Sequence, residues 1–380
     1  MIDAHELTRL LGDLVAVNSI NPDLVPSAPG EAEAAGHIAR WLEADGLEVR
    51  LDEALAGRPN VIARARGTGG GRTLLLNGHI DTVGVGDRSE LHKPRVEAGR
   101  LYGRGAYDMK AGVAACMLAV AAAQRHRLRG DVLFTAVVDE EYAGAGTQAV
   151  ARRYRADGAV IAEPTELQLV VAHKGFVWLD VETHGLAAHG SRPDLGVDAI
   201  AHMGRVLAEL EDLQQTLQAR PAHPRLGHGS LHASLIQGGQ ELSSYPERCR
   251  LSIERRTLPG ETPESVTAEW QSRLDRLGRA DPAFRATLYP GLARPPLETP
   301  EDAAIVRAVQ QAAAPLLGRP CALTGVPYWT DAATLWAAGI PAVLFGPAGA
   351  GAHAAEEWVD LESVRVCAEV YLATALAFCP

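Results

Sequence analysis

The chain has 380 residues, 47% of them apolar, with a formal net charge of −11. That length exceeds what one ordinary hydrophobic core organises, so a large and a smaller domain are expected. The acidic balance and the absence of any long basic run argue against nucleic acid as a partner.

The N-terminus, MIDAHELTRLLGDLV, has acids where a signal peptide needs bases. Its Leu7, Leu10, Leu11 and Leu14 recur at threes and fours and predict a helix over 4–16, with a second over 31–45. Extended runs follow at NVIARA, RTLLLNGHI, DVLFTAVVD, GAVIA and QLVVAH, several almost continuously apolar, as suits a sheet covered on both faces. Between them MKAGVAACMLAVAAAQRH reads as a buried, Ala-rich helix.

Near Lys174 the pattern changes. FVWLDVETHG alternates like a half-exposed strand, a long amphipathic helix covers GVDAIAHMGRVLAELEDLQQTLQ, and SLHASLIQGG and RCRLSIERRTL read as strands. A helix opened by Thr-Pro, TPESVTAEWQSRLDRLG, and the strand FRATLYP complete a β-α-β-β-α-β order, that of a ferredoxin-like α+β module. From Thr299 the α/β pattern returns, with a helix at 301–317, a strand at IPAVLFG and a helix at 361–378. The expected fold is therefore α/β, a three-layer α/β/α domain over 1–173 and 295–380 with a module at 174–294 inserted into it. Five scattered cysteines without CxxC spacing suggest neither a disulfide framework nor a zinc knuckle, and no stretch reads as a bilayer span. A cytoplasmic protein with no membrane partner is expected.

Five apolar runs end in chemistry. His79 and Asp81 follow LLLNG, Glu140 and Glu141 follow VVD, Glu163 follows VIA, Asp108 precedes the Ala-rich helix, and His353 follows a Gly-rich turn. Each alone has an ordinary explanation: a strand-end turn for Asp81, an N-cap for Asp108, a charged turn for the DEE triplet. Together they read as a two-metal hydrolase centre. Adjacent carboxylates in an apolar setting repel unless cations intervene, and a ligating Glu141 leaves Glu140 free to move a proton. Asp108 has two oxygens with which to bridge two ions. Three carboxylates against two divalent cations leave one positive charge, which a hydroxide nucleophile neutralises. Mixed imidazole and carboxylate donors suit zinc, with cobalt or manganese also compatible.

The ordered motifs GHIDTV, GRGAYDMKAG, VVDEE, AEPT, HGSRPDLGVDAI, ERRTLPGET and GPAGAGAH resemble the co-catalytic metallohydrolase family of acetylornithine deacetylase, succinyl-diaminopimelate desuccinylase, aminoacylase and glutamate carboxypeptidase. The resemblance spans the whole chain. It implies that Asp108 bridges the metals, that His79 and Glu163 bind one and Glu141 and His353 the other. It further implies that Asp81 orients His79, that Glu140 is the general base, and that the Asp108–Met109 peptide is cis. The family's lid histidine, which reaches the partner subunit's site, falls on His189, and its substrate-carboxylate arginine on Arg256. Strand alternation leaves Arg255 as a competitor. Ser243 stands where the family often has Asn in a GGxxxN segment, and GPAGAGAH replaces the commoner GPG. Glu163, rather than Asp, resembles the deacylase branch. The resemblance implies a homodimeric, metal-dependent deacylase of N-acyl amino acids, with a dipeptidase or carboxypeptidase as the alternative. A non-catalytic binding protein is disfavoured because the full ligand set and the base are present.

Overall fold

A computed structural model describes residues 2–380, and they separate into two compact units. The first comprises residues 2–171, 299–324 and 330–380; the second comprises 172–298 with 325–329.

The first unit is built on a mixed sheet. Its strands lie side by side in the order Glu48–Leu55, Arg58–Ala65, Val132–Val137, Leu74–His79, Gly158–Ile161, Ala342–Leu344 and Leu169–His173. The four consecutive strands Val132–Val137, Leu74–His79, Gly158–Ile161 and Ala342–Leu344 are parallel. Every residue in them is buried, which explains their largely apolar spelling. Helices Ala4–Ala16, Ala32–Ala44, Ala111–Gln124, Ala304–Leu317 and Leu361–Phe378 share one core against the sheet. Ala145–Arg153 and Ala332–Ala337 are the remaining α-helices among the described residues of this unit, and the architecture is three-layered.

The Ala111–Gln124 helix is buried on all sides, so it lacks an amphipathic stripe and Ala, not charge, fills its surface. Contrary to the sequence reading, the stretch Ala106–Gln124 does reach the length and apolarity of a bilayer span; 83% of it is packed inside the protein. A smaller four-stranded sheet pairs Arg95–Glu97, Arg100–Tyr102, Trp358–Asp360 and Gly349–Ala350. It joins the segment before Asp108 to the segment after His353.

The second unit is a four-stranded antiparallel sheet in the order Ser230–Gly238, Arg248–Thr257, Gly175–His184 and Arg285–Arg294, with helices Ala199–Ala219 and Pro263–Ala280. Alternate residues Val177, Leu179 and Val181 meet Leu251 and Ile253 over Met203, Val206 and Trp270 in a separate core. Thr262 starts the second helix through a reciprocal capping box with Ser265. The last strand runs past the expected stop at Pro290 as far as Arg294. A register shift between Pro290 and Ala293 accommodates the residue that has no N–H to donate.

Candidate metal centre

Parallel pairing brings four chain segments to one place. The carboxyl ends of the four parallel strands lie together at one edge of the sheet. His79 ends one, and Glu140–Glu141, Glu163 and His353 follow the other three. Asp108 enters from the loop ahead of the Ala111–Gln124 helix. It is not that helix's cap, since Lys110 holds the cap position and Asp108 has non-helical backbone angles. The Asp108–Met109 peptide is cis, as the resemblance implies. Close approach needs glycine here: a Cβ on Gly112 would strike the Ala162 carbonyl, and one on Gly346 the Glu163 carbonyl.

The donor atoms fall into two groups sharing Asp108. In one, His79 Nε2 lies 3.1 Å from Asp108 Oδ1 and 3.8 Å from Glu163 Oε1. In the other, His353 Nε2 lies 3.3 Å from Asp108 Oδ2 and 3.1 Å from Glu141 Oε2. Within each group the three ligand atoms lie within 4.8 Å of one another. The two Asp108 oxygens thus face different groups, the geometry of a carboxylate placed between two ions. Glu140 belongs to neither group.

Electrostatics point the same way. Burial pushes the Glu163 carboxyl up to about 8, with His79 opposing and Asp108, Glu141 and Asp331 adding repulsion. Burial likewise drives Glu140 well above the usual carboxylate range, and Glu141 upward. The His353 imidazole is held up to about 10 by its contacts with Asp108 and Glu141. Burial opposes charge on His79, yet Asp108 and Asp81 hold it well above an ordinary imidazole. Protons on the two histidines are the positive charge available to four crowded carboxylates. Divalent cations fit this donor set, because they replace those protons with charge that imidazole nitrogen and carboxylate oxygen can both ligate.

Around these groups lies a shell that sequence reasoning saw in part. His79 Nδ1 lies 3.0 Å from the Asp81 backbone carbonyl and 3.5 Å from its carboxylate. The Asp81 carboxylate also accepts the N–H groups of Glu140 and Glu141, each at 3.1 Å, so it holds the acidic pair as well as the imidazole. Asn21 Nδ2 donates to Asp81 at 2.8 Å and to Asp139 at 3.2 Å. Arg58 grips Glu31 through two bonds of 2.7 and 2.6 Å and reaches Asp139 at 3.2 Å. Asp139, directly before the acidic pair, has φ of +69°. Lys110 is buried and donates to the carbonyls of Leu14 and Val17 at 2.9 and 2.8 Å, and burial pulls its amine down to about 7. Asn21, Glu31, Arg58, Asp139 and Lys110 were not anticipated. Their only signal is polarity at positions that turn out to be buried.

In the second unit His189 is exposed on a loop, with Nδ1 2.8 Å from the Ser191 hydroxyl and accepting the Ser191 N–H at 3.2 Å. Ser243 lies beside it: the Gly190 N–H donates to the Ser243 carbonyl at 2.7 Å. The two candidate arginines face opposite ways. Arg255 is fully buried and paired with Glu261, whereas Arg256 is partly exposed, ion-paired with Glu254 and stacked 5.5 Å from the Phe176 ring centroid. Burial, then Arg256 and Arg255, lower the Lys174 amine, so this end of the unit is crowded with cations. Arg256 pairs with Ser230, while the segment carrying Ser243 begins after Gly238, which pairs with Cys249. That separates Arg256 from the His189–Ser243 loops by roughly 24 Å of strand.

Residues 75–377 match the model of peptidase family M20/M25/M40. The acetylornithine deacetylase of Myxococcus xanthus is 33% identical over 390 aligned positions, covering 98% of this chain and 97% of that protein. The N-formyl-4-amino-5-aminomethyl-2-methylpyrimidine deformylase of Halalkalibacterium halodurans is 29% identical, covering 94% and 90%. Among solved structures, the YXEP protein of Bacillus subtilis, a dinuclear metal-binding peptidase of the M20 family, superposes with a TM-score of 0.78 at 18% identity, covering 99% of this chain and 98% of that one. The chain belongs to the M20/M25/M40 peptidase family and is an amidohydrolase.

Proposed function

We propose that this protein hydrolyses the amide bond of an N-acyl amino acid, with acetylornithine deacetylase or succinyl-diaminopimelate desuccinylase-like activity. The observation that carries the reading is Asp108, whose two oxygens face His79 with Glu163 on one side and Glu141 with His353 on the other. These five residues would hold two divalent ions, zinc by preference. Bound there, the ions supply Lewis acidity toward the amide carbonyl and ease the deprotonation of water. Glu140, outside both ligand groups, takes the proton of the attacking water and delivers it to the leaving amine nitrogen. Asp81 orients His79 and fixes the backbone of the acidic pair. Arg256 receives the substrate carboxylate, and the N–H of His189 with the polar Ser243 binds the developing oxyanion side.

His189 and Arg256 sit too far apart within one lid for one small substrate to touch both. A site that uses both draws them from two chains, which supports a homodimer. The Ser230–Gly238 edge strand fits this, because it exposes Leu235 and Ile236 along unpaired backbone. The named relatives remove acetyl and formyl groups, which favours a small acyl group. The structural likeness to a peptidase keeps dipeptide or carboxypeptidase activity as the second reading. A panel of N-acetyl, N-formyl and N-succinyl amino acids and dipeptides, assayed with zinc, cobalt or manganese, decides between them. Turnover confined to dipeptides would replace the deacylase reading, and full turnover in a verified metal-free sample would end the metal mechanism.

A further inference from the structure

Glu357 is buried, with only 2% of its side chain exposed, and its carboxylate is surrounded by donors. Oε1 accepts the N–H groups of Tyr107 and Asp108 at 2.9 and 3.0 Å. Oε2 accepts the Gly105 N–H at 3.0 Å and Arg104 Nη1 at 2.7 Å. The Glu357 backbone carbonyl accepts the Gly103 N–H at 3.1 Å. Arg104 extends the same contact, its Nη2 donating at 2.8 Å to the carbonyl of Ala354, the residue after His353. Residues 103–108 and 354–357 are thereby laced together by the Glu357 carboxylate, its ion pair with Arg104 and two bonds to backbone carbonyls.

We propose that Glu357 is a positioning residue for the metal centre: one carboxylate fixes the loop that presents Asp108 and locks to it the loop that presents His353. The inference rests on reading Asp108 and His353 as metal ligands. Backbone N–H groups and a guanidinium cannot turn into acceptors, so all four bonds require a carboxylate. A glutamine has one acceptor oxygen, and its NH₂ would face two donors whichever way it turned. The isosteric amide should therefore fail almost as badly as a truncation.

The experiment is zinc titration of the metal-free full chain against a chromophoric chelator, for wild type, Glu357→Gln, Glu357→Ala, Asp108→Asn and His353→Ala. Circular dichroism of each metal-free sample reports folding. The expected result is a folded Glu357→Gln that binds zinc about 10–100-fold more weakly, the range for losing an outer-shell partner, with Glu357→Ala close to it. A purely architectural role would lower the melting temperature without changing the zinc affinity of the folded protein, and that outcome overturns the proposal. If Glu357→Gln does not fold, Arg104→Lys decides: it keeps the charge but cannot span both Glu357 and Ala354, so zinc affinity should fall, less steeply. Unchanged affinity in that variant also overturns the proposal. Should Asp108→Asn and His353→Ala bind zinc like wild type, the ligand reading fails and takes the clamp with it. Weakening in those two alone refutes the clamp and leaves the ligand reading intact.

Discussion

At the scale of single residues, Glu140 and Glu141 are neighbours to which the structure gives different company. Glu141 contacts His353, while Glu140 is in neither ligand group. Glu140→Gln is expected to retain both metals and lose ~10²–10⁴-fold in kcat, the usual contribution of a general base. Glu141→Gln is expected to lose metal instead. Metal analysis alongside steady-state kinetics separates them, and near-normal kcat in metal-loaded Glu140→Gln would remove the base assignment. Arg58 is a second test. Its guanidinium lies among Glu31, Asp23 and Asp139, two of them buried. Arg58→Met strands those carboxylates, and breaking a buried pair on one side costs about 3–5 kcal/mol, measurable by urea unfolding of the metal-free protein. The metal-ligand candidates were legible because His79, Glu141 and Glu163 follow apolar runs, Asp108 precedes one, and His353 follows a Gly-rich turn. Arg58 was not, since its partners lie 27 and 81 positions away and Glu31 reads locally as an ordinary acid at a helix start.

At the scale of elements, the long buried strands and helices announced themselves, and the second unit shows the β-α-β-β-α-β order read from its periodicity. The elements that escaped are those whose pattern is set by neighbours. Glu48–Leu55 is an outer strand in which only Asp52 is buried, so its spelling, EVRLDEAL, carries no apolar run. The short strands Arg95–Glu97 and Arg100–Tyr102 take their order from Trp358–Asp360, more than 250 positions later. The edge strand Ser230–Gly238 makes a prediction at this scale. A charge on its exposed apolar positions, as in Ile236→Lys, should convert a dimer to a monomer in light scattering while leaving the circular dichroism unchanged. A variant that stays dimeric would place the interface elsewhere.

At the scale of the whole molecule, two expectations follow from a centre assembled from distant segments. Chelation should lower the melting temperature, because ions that bind only the folded state stabilise it and their removal returns four crowded carboxylates to mutual repulsion. A melting temperature indifferent to chelator would mean that the site holds no metal of consequence. The second expectation concerns shared sites. Mixing inactive His189→Ala with inactive Glu140→Gln under subunit exchange should restore activity, to less than half of wild type, since each heterodimer then has one intact and one doubly defective site. Verified exchange without recovery would place His189 in its own chain's site or in none. Only the family resemblance raises this expectation, since no local pattern in the sequence records where His189 and Arg256 lie relative to each other. Their separation emerges from strand register alone.

The order of the chain also makes assembly a matter of time. During synthesis His79, Asp108 and Glu163 all leave the ribosome long before residues 353–357 exist. At that stage the chain carries the residues of one candidate ligand group and lacks the histidine of the other. The Asp108 loop meanwhile waits for the glutamate that will tether it. On the proposed reading, a growing chain has the donors of one ligand group early, whereas the second group is complete only once His353 has been made.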